Sequence, residues 1–495
     1  MMNVQGKSDP PIVPTKPPNK AAAAAAEVVE GRGGAKGNAA RGSTRQTQGW
    51  ESVSPALGRI RDAARRDKSI RFTALLHHVT VDLLRFSAFQ LKKRAAAGID
   101  GVKWDAYEAN LEDNLRDLCE RVHRGAYRAK PSRRRYIPKP DGRQRPLGIA
   151  TLEDKIVQRA VGEVLNAIYE TDFLGFSYGF RPGRSQHDAL DALAVGIYRR
   201  RVNWIVDADV RSFFDSMDHG WLMRFLEHRI ADRRLLRLIG KWLKAGVLEN
   251  GRLLSTERGT PQGAVISPLL ANIYLHYVYD LWVHQWRRRA DGEVIVVRYA
   301  DDMIVGFQFE RDARRFLAEL PQRLERFGLE LNPEKTRLIE FGRYAEQNRR
   351  ARGLRPETFR FLGFTHICGK TRTGRFLIRR HTIRERLSGK LREVKDRLRR
   401  MRHLPIAEQG AYVRRVVNGF LNYYAVPTNS RAINSFYRHV GWYWLRALRR
   451  RSQNTRQTWH RMKRLFDLWL PPARIRHPLP DWRFDVKTRG GSPVR

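Results

Sequence analysis

Asp301 and Asp302 are adjacent carboxylates set between two short, mostly β-branched apolar runs, residues 294–297 and 303–305. The runs read as a strand–turn–strand hairpin in a core, with the acid pair at its corner. Two neighbouring carboxylates taken out of water are costly unless cations compensate them. Such a pair can also be a plain polar turn whose side chains bond their own backbone. A second acidic stretch, residues 203–219, reads as a strand whose period of two puts Asp207 and Asp209 on one face and Val206, Ala208 and Val210 on the other. Asp215 and Asp218 fall where a helix begins and read as caps. Cations suited to phosphate lie on a third stretch, residues 133–148, which reads as strand, Asp-Gly turn, strand. Arg133, Lys139, Arg143 and Arg145 on that hairpin suit a triphosphate, because Arg forks phosphate oxygens and Lys adds a point charge. The alternative is a solvated edge hairpin protected by Lys and Pro.

Several elements must bring these groups together. A helix over about 152–169 carries Ile156, Val157, Ala160, Val161, Val164 and Leu165 on one stripe, so its job is packing. The glycine-rich loop 176–188 ends at Ser185, a helix N-cap by type. Arg181 and Arg184 beside Tyr178 and Phe180 make a basic-aromatic surface suited to a nucleic-acid strand, or an ordinary helix-start loop. Gln262, between Pro261 and Gly263, is oddly polar for packing at the entry to an apolar helix ending near residue 283. Residues 331–336 read as a turn carrying Lys335. Between Arg379 and Arg402 lie eleven Lys/Arg against three acids, with Ile383, Leu387, Leu391, Val394, Leu398 and Met401 at helical spacing. One stripe packs; the rest, with Arg379, Arg380 and Arg384 at its start, reads as a phosphate track.

Composition agrees with a polyanionic partner. The 495 residues carry 95 Lys plus Arg against 51 Asp plus Glu, a formal charge of +44, which opposes compaction unless neutralised. A polybasic membrane-surface protein is the competing class, but no run of about 18 apolar residues exists to span a bilayer. The most apolar long segment, 263–283, is broken by Pro268, Asn272, His276 and Asp280. Two cysteines, far apart, exclude a cysteine-based zinc module and fit a reducing compartment. The length calls for two to four domains. The first fifty or so residues, rich in Pro, Ala, Gly and basic side chains, read as a flexible basic tail.

Tyr299-Ala-Asp-Asp302 between hydrophobic strands resembles the active-site hairpin of group II intron reverse transcriptases. The basic hairpin, the loop 176–188, Asp209 followed by Val-Arg-Ser-Phe-Phe, Thr260-Pro-Gln-Gly263 and the Leu-Gly turn at 361–364 follow in that family's order. The aromatic stretches 417–427 and 441–452 resemble its thumb/maturase region, so the likeness spans roughly residues 60–480. It implies an α+β right-hand polymerase, with fingers, an antiparallel palm sheet and an α-helical thumb. The expected boundaries are a disordered basic tail (1–55), N-terminal extension and fingers (56–200), palm (201–370), thumb/maturase domain (371–450) and a basic nucleic-acid-binding tail (451–495).

The resemblance also implies roles. Asp209, Asp301 and Asp302 would hold two Mg²⁺ ions; Arg133, Lys139, Arg145 and Gln262 would bind the incoming dNTP. Phe214, with Phe213 as fallback, would wall off the sugar 2′-OH. Arg181, Arg184, Lys335, Arg379, Arg380 and Arg384 would touch nucleic acid. The implied activity is copying intron RNA into DNA while assisting splicing and mobility, with intron RNA and target DNA or primer as partners, in the bacterial cytoplasm or nucleoid. No His-Asn-His or Cys-rich endonuclease module follows the basic tail, which implies priming from an existing DNA end. A maturase with a silent polymerase centre, and a reverse transcriptase serving host defence or repair, are the alternatives. The intact acid triad favours activity. Intron identity, target site and oligomeric state are not encoded in these motifs.

Overall fold

The computed structural model describes residues 44–138, 144–249, 251–254, 257–260, 262–451 and 458–488. Lys139, at the expected tip of the basic hairpin, lies outside the described residues, as do positions 1–43 of the expected tail.

The strands are β1 (Ser132–Pro138), β2 (Gln144–Ile149), β3 (Trp204–Asp209), β4 (Val247–Glu249), β5 (Arg252–Leu254), β6 (Val294–Tyr299), β7 (Asp302–Phe307), β8 (Arg337–Glu340), β9 (Thr358–Phe361), β10 (Phe364–Lys370) and β11 (Phe376–Thr382). They form three sheets, ordered β2-β1-β4-β5, β6-β7-β3-β8 and β11-β10-β9. With the helices around them this is an α+β chain whose C-terminal region is helical.

The second sheet is the centre. Its β6 and β7 form the expected hairpin, closed by the pair Tyr299–Asp302 with Ala300 and Asp301 as the two-residue turn. Residues 294–297 and 303–307 are buried, so hydrophobic burial fixes the register. Next to β7, β3 runs antiparallel with Asp209 opposite Asp302. As the period of two requires, Val206 and Ala208 are buried while Asp207 and Asp209 stay partly exposed; Ile205, on the acids' face, is buried as well. Leu152–Tyr169 is a helix buried almost all round and capped by the Thr151 hydroxyl, and it packs against the helices Thr44–Arg66, Val81–Phe89 and Ser267–Leu275.

The apolar helix after residue 263 runs Ser267–Leu275, takes one π-helical turn at His276–Asp280, and continues as Leu281–Trp286. Ser185 caps Gln186–Arg199 in a reciprocal capping box with Asp188. Asp218 caps His219–Glu227. The Leu362–Gly363 turn joins β9 and β10 with both residues at positive φ (+44° and +83°), the geometry of a tight two-residue hairpin.

One boundary is corrected. A helix spans Thr44–Arg66, and its Val53, Leu57, Ile60 and Ala64 enter the main core, so residues 44–55 are not a disordered tail. Residues 458–488, within the expected basic nucleic-acid-binding tail, carry two helices that pack on the rest of the chain. Helix Trp459–Trp469 joins Arg384–Arg400, Ile406–Tyr424 and Ser430–Arg449 around a second apolar core that holds Val394, Val417, Phe436 and Trp444. The chain then returns to the first core, where helix Pro480–Thr488 packs along Gln186–Arg199.

Candidate active site

Asp209 ends β3, Asp302 begins β7 directly opposite, and Asp301 sits on the adjoining turn. Three acids distant in sequence thus meet at one end of the central sheet. The Asp209 carboxylate accepts from Lys335 Nζ at 2.7 Å and from Asn332 Nδ2 at 3.3 Å, and the Asn332 amide N–H donates to the Asp209 carbonyl at 2.8 Å. Asp207 faces Arg337 at 3.7 Å, and its pKa is pushed up to about 6 by burial, with Arg337 opposing and Asp209 adding to the rise.

Asp301 and Asp302 are also pushed upward. For Asp301 the cause is burial, opposed by its own backbone N–H, reinforced by Asp209, and relieved in part by the fields of Arg145 and Lys335. Asp302 reaches solvent at its rim, yet is crowded by protein atoms and by three like charges, Asp301, Asp209 and Asp207. Carboxylates that raise one another's pKa are relieved when a cation sits among them.

Its donor set, all carboxylate oxygen, fits a hard divalent ion such as Mg²⁺. Among the described residues no three acidic, His or Cys side chains close into a preformed metal cage. Magnesium sites commonly complete their shell with water and substrate phosphate.

The surrounding residues follow from the loops. Arg145 on β2 is exposed, and its field reaches Asp301. Register puts Arg133 (opposite Ile149) and Arg145 (opposite Ile137) on the same hairpin face, but toward opposite ends. The Gln262 carbonyl accepts from the Gly148 N–H at 2.6 Å, while the Thr260 N–H donates to the Phe214 carbonyl at 2.8 Å. Residues 259–263 therefore tie β2 to the Phe214 segment. Gly259 has to be glycine: φ is +81°, and a Cβ would lie 2.7 Å from the Phe214 carbonyl oxygen. Phe213 is buried and Phe214 half-exposed, so Phe214, not its neighbour, has a face to offer a substrate.

Three expected nucleic-acid contacts are corrected. Arg181 is 3% exposed; its guanidinium forks Glu170 and donates to the Leu174 and Ser177 carbonyls. Arg184 donates to the Gly175 and Ser177 carbonyls and lies over the buried Tyr178 ring. Both hold the loop 174–178 in shape. Arg380, 2% exposed, is bound at 2.9 Å to Asp191, which Arg483 also grips from the returning C-terminal segment. Arg379 and Arg384 are exposed, Arg379 with one bond to the Lys370 carbonyl at 3.3 Å. Lys335 is half-exposed but faces the acid cluster rather than open surface.

A buried ionic centre under the turn went unnoticed in the sequence. Arg298, fully buried in β6, forks Asp280 of the π-helical turn at 2.7 and 2.6 Å. It also donates to Asn272 Oδ1 (3.0 Å), the Ala300 carbonyl (3.0 Å) and Ser177 Oγ (2.7 Å). The signal was present in pieces: a charge inside an apolar strand, and Asn272 and Asp280 interrupting an apolar helix.

An acid cluster on facing strands of an antiparallel sheet, flanked by a basic hairpin, is an arrangement able to hold a divalent cation beside a phosphate. Residues 137–366 match the family model described as reverse transcriptase (RNA-dependent DNA polymerase). The chain is 38% identical over 240 residues to Protein YkfC of Escherichia coli (strain K12), covering 47% of this chain and 63% of that one. It is 38% identical over 224 residues to the group II intron-encoded protein LtrA of Lactococcus lactis subsp. cremoris, covering 45% of this chain and 37% of that one. A putative COX1/OXI3 intron 1 protein of Saccharomyces cerevisiae is 24% identical over 442 residues, 73% of this chain and 51% of its own length. Over residues 137–366 the chain is similar to reverse transcriptases, and the relatives it resembles include group II intron-encoded proteins. Each match spans less than two thirds of the relative's own length.

Proposed function

We propose that this chain is an RNA-directed DNA polymerase that copies group II intron RNA into DNA and assists that RNA in splicing and mobility. The observation that carries the reading is the meeting of Asp209, Asp301 and Asp302 at one end of the central sheet, beside the Arg145 hairpin. The first sheet is read as fingers, the central sheet as palm and the second-core helices as thumb. Asp209, Asp301 and Asp302 would hold the Mg²⁺ ions, which when bound supply a lowered primer 3′-OH pKa and neutralisation of the leaving pyrophosphate. Arg145 and Arg133 orient the triphosphate by forked hydrogen bonds. Gln262 is held at the junction of β2 and the Phe214 segment, where a base or sugar would pass. Phe214 sets its ring where a 2′-OH would crowd it. Lys335 holds the Asp209 carboxylate in place until substrate arrives.

A second reading, an RNA-binding maturase with no polymerase activity, draws on the separate helical unit with its own core and cationic outer face. Primer extension with oligo(dT) on poly(rA), dTTP and Mg²⁺ separates the two. Extension by wild type and none by Asp301→Ala is the expected result. A folded, RNA-binding wild type that extends nothing would leave the maturase reading in its place.

A further inference from the structure

The turn that presents Asp301 is conformationally demanding. Ala300 takes φ +57°, a left-handed conformation that non-glycine residues adopt at a cost of order 1 kcal/mol. Something must hold it there.

The surroundings converge on that residue. Gly179 approaches so closely that a Cβ would lie 2.2 Å from the Ala300 nitrogen. The Gly179 carbonyl is in turn held by Asn272 Nδ2 at 2.6 Å. The loop bearing Gly179 is laced to β6 by the Tyr178 N–H to the Arg298 carbonyl (2.8 Å) and the Arg298 N–H to the Phe176 carbonyl (2.9 Å). Arg298 itself reaches past its own strand to donate to the Ala300 carbonyl. That carbonyl belongs to the same peptide unit as the Asp301 N–H.

We infer that Arg298 is a positioning residue for polymerisation: by holding the Ala300–Asp301 peptide plane, it aims the Asp301 carboxylate into the acid cluster. The inference rests on the polymerase reading above. Asp280 fixes the guanidinium through a fork, and Asn272 fixes it while also locating Gly179. His276, 4.0 Å from Asp280, has its pKa pushed down to about 3 by burial and the Arg298 charge, so it stays neutral and leaves the pair balanced. The guanidinium touches no substrate. Its effect passes through one peptide bond.

The test uses the paired substitution Arg298→Gln/Asp280→Asn, which leaves no unpaired buried charge. Three properties are read on the full chain: primer–template affinity by fluorescence anisotropy, single-turnover dTTP incorporation, and hydrogen exchange of the peptide covering residues 299–306. Expected are affinity within about twofold of wild type, incorporation reduced about 10²-fold, and faster exchange confined to the turn. A folded double variant with wild-type incorporation and wild-type exchange at the turn would overturn the inference. Faster exchange spread across the whole chain would also overturn it, because that marks general loosening. If the double variant does not fold, Arg298→Lys keeps the charge opposite Asp280 but lacks the planar fork, and the same outcomes decide. If wild type polymerises nothing, the polymerase reading fails on its own, and the exchange pattern still reports whether Arg298 holds the turn.

Discussion

Phe213 and Phe214 are chemically identical neighbours with different jobs, because one faces the core and the other is half-exposed. Phe214→Ala should admit ribonucleotides, seen as increased rNTP incorporation relative to dNTP, with little change in melting temperature. Phe213→Ala should instead empty a core position and cost about 3–5 kcal/mol of stability by denaturant titration. The same contrast runs through the arginines. Type and context in sequence suggested that Arg181, Arg184 and Arg380 were surface cations, and all three are structural ties. Their partners were not legible: Asp191 lies 189 residues before Arg380, and carbonyl acceptors carry no sequence signal at all. The strand bearing Asp207 and Asp209 and the corner bearing Asp301 and Asp302 were legible because alternation and a two-residue turn are local signals; alternation treats Asp207 and Asp209 alike, and only the resemblance singled out Asp209.

At the scale of elements, helical periodicity served well, even where burial extends beyond the apolar stripe. Leu152–Tyr169 and the stripe from Ile383 to Met401 fall where helical spacing put them. It failed at both ends of the chain, where composition is basic and packing partners are remote. Junctions between elements also depend on single side chains. Asp232 caps Arg233–Lys244 through the Arg234 and Leu235 N–H groups, and also accepts from the Leu75 and Leu76 N–H groups at 2.8 and 2.9 Å. Burial alone would raise its pKa, but four backbone donors outweigh it, so the folded value is lowered. A depressed folded pKa contributes stability above the unfolded value of about 3.9 that is lost as pH falls through the folded one. Asp232→Ala should therefore cost about 1–3 kcal/mol at pH 7, and the gap to wild type should close as the pH drops below about 4. Urea titrations across pH 3–8 check both the size and the direction.

For the whole molecule, a formal charge of +44 predicts steep salt dependence of RNA affinity. Arg379→Ala or Arg384→Ala should each reduce the slope of log K against log salt by about one, without a change in stability. Arg380→Ala should instead destabilise the fold, by about 3–5 kcal/mol, since it strands part of the buried Asp191 charge. No helix among the described residues is long and apolar enough to cross a membrane.

The returning C-terminal segment has a consequence in time. Arg483 reaches Asp191 across 292 positions, and Asp485 forks Arg199 on the same helix at 2.8 Å. At roughly 5–20 residues per second, a ribosome needs about 15–60 s to travel between those partners. During that interval the helix Gln186–Arg199, which follows the loop packed against the Ala300–Asp301 turn, is present but unfastened on one face. The nascent chain therefore acquires its acid cluster early and its last fastening late, so a newly made molecule should pass through a protease-sensitive stage that ends only when residues 480–488 arrive. Pulse proteolysis of stalled nascent chains, ending before or after residue 488, would show that stage as a change in cleavage within 186–199.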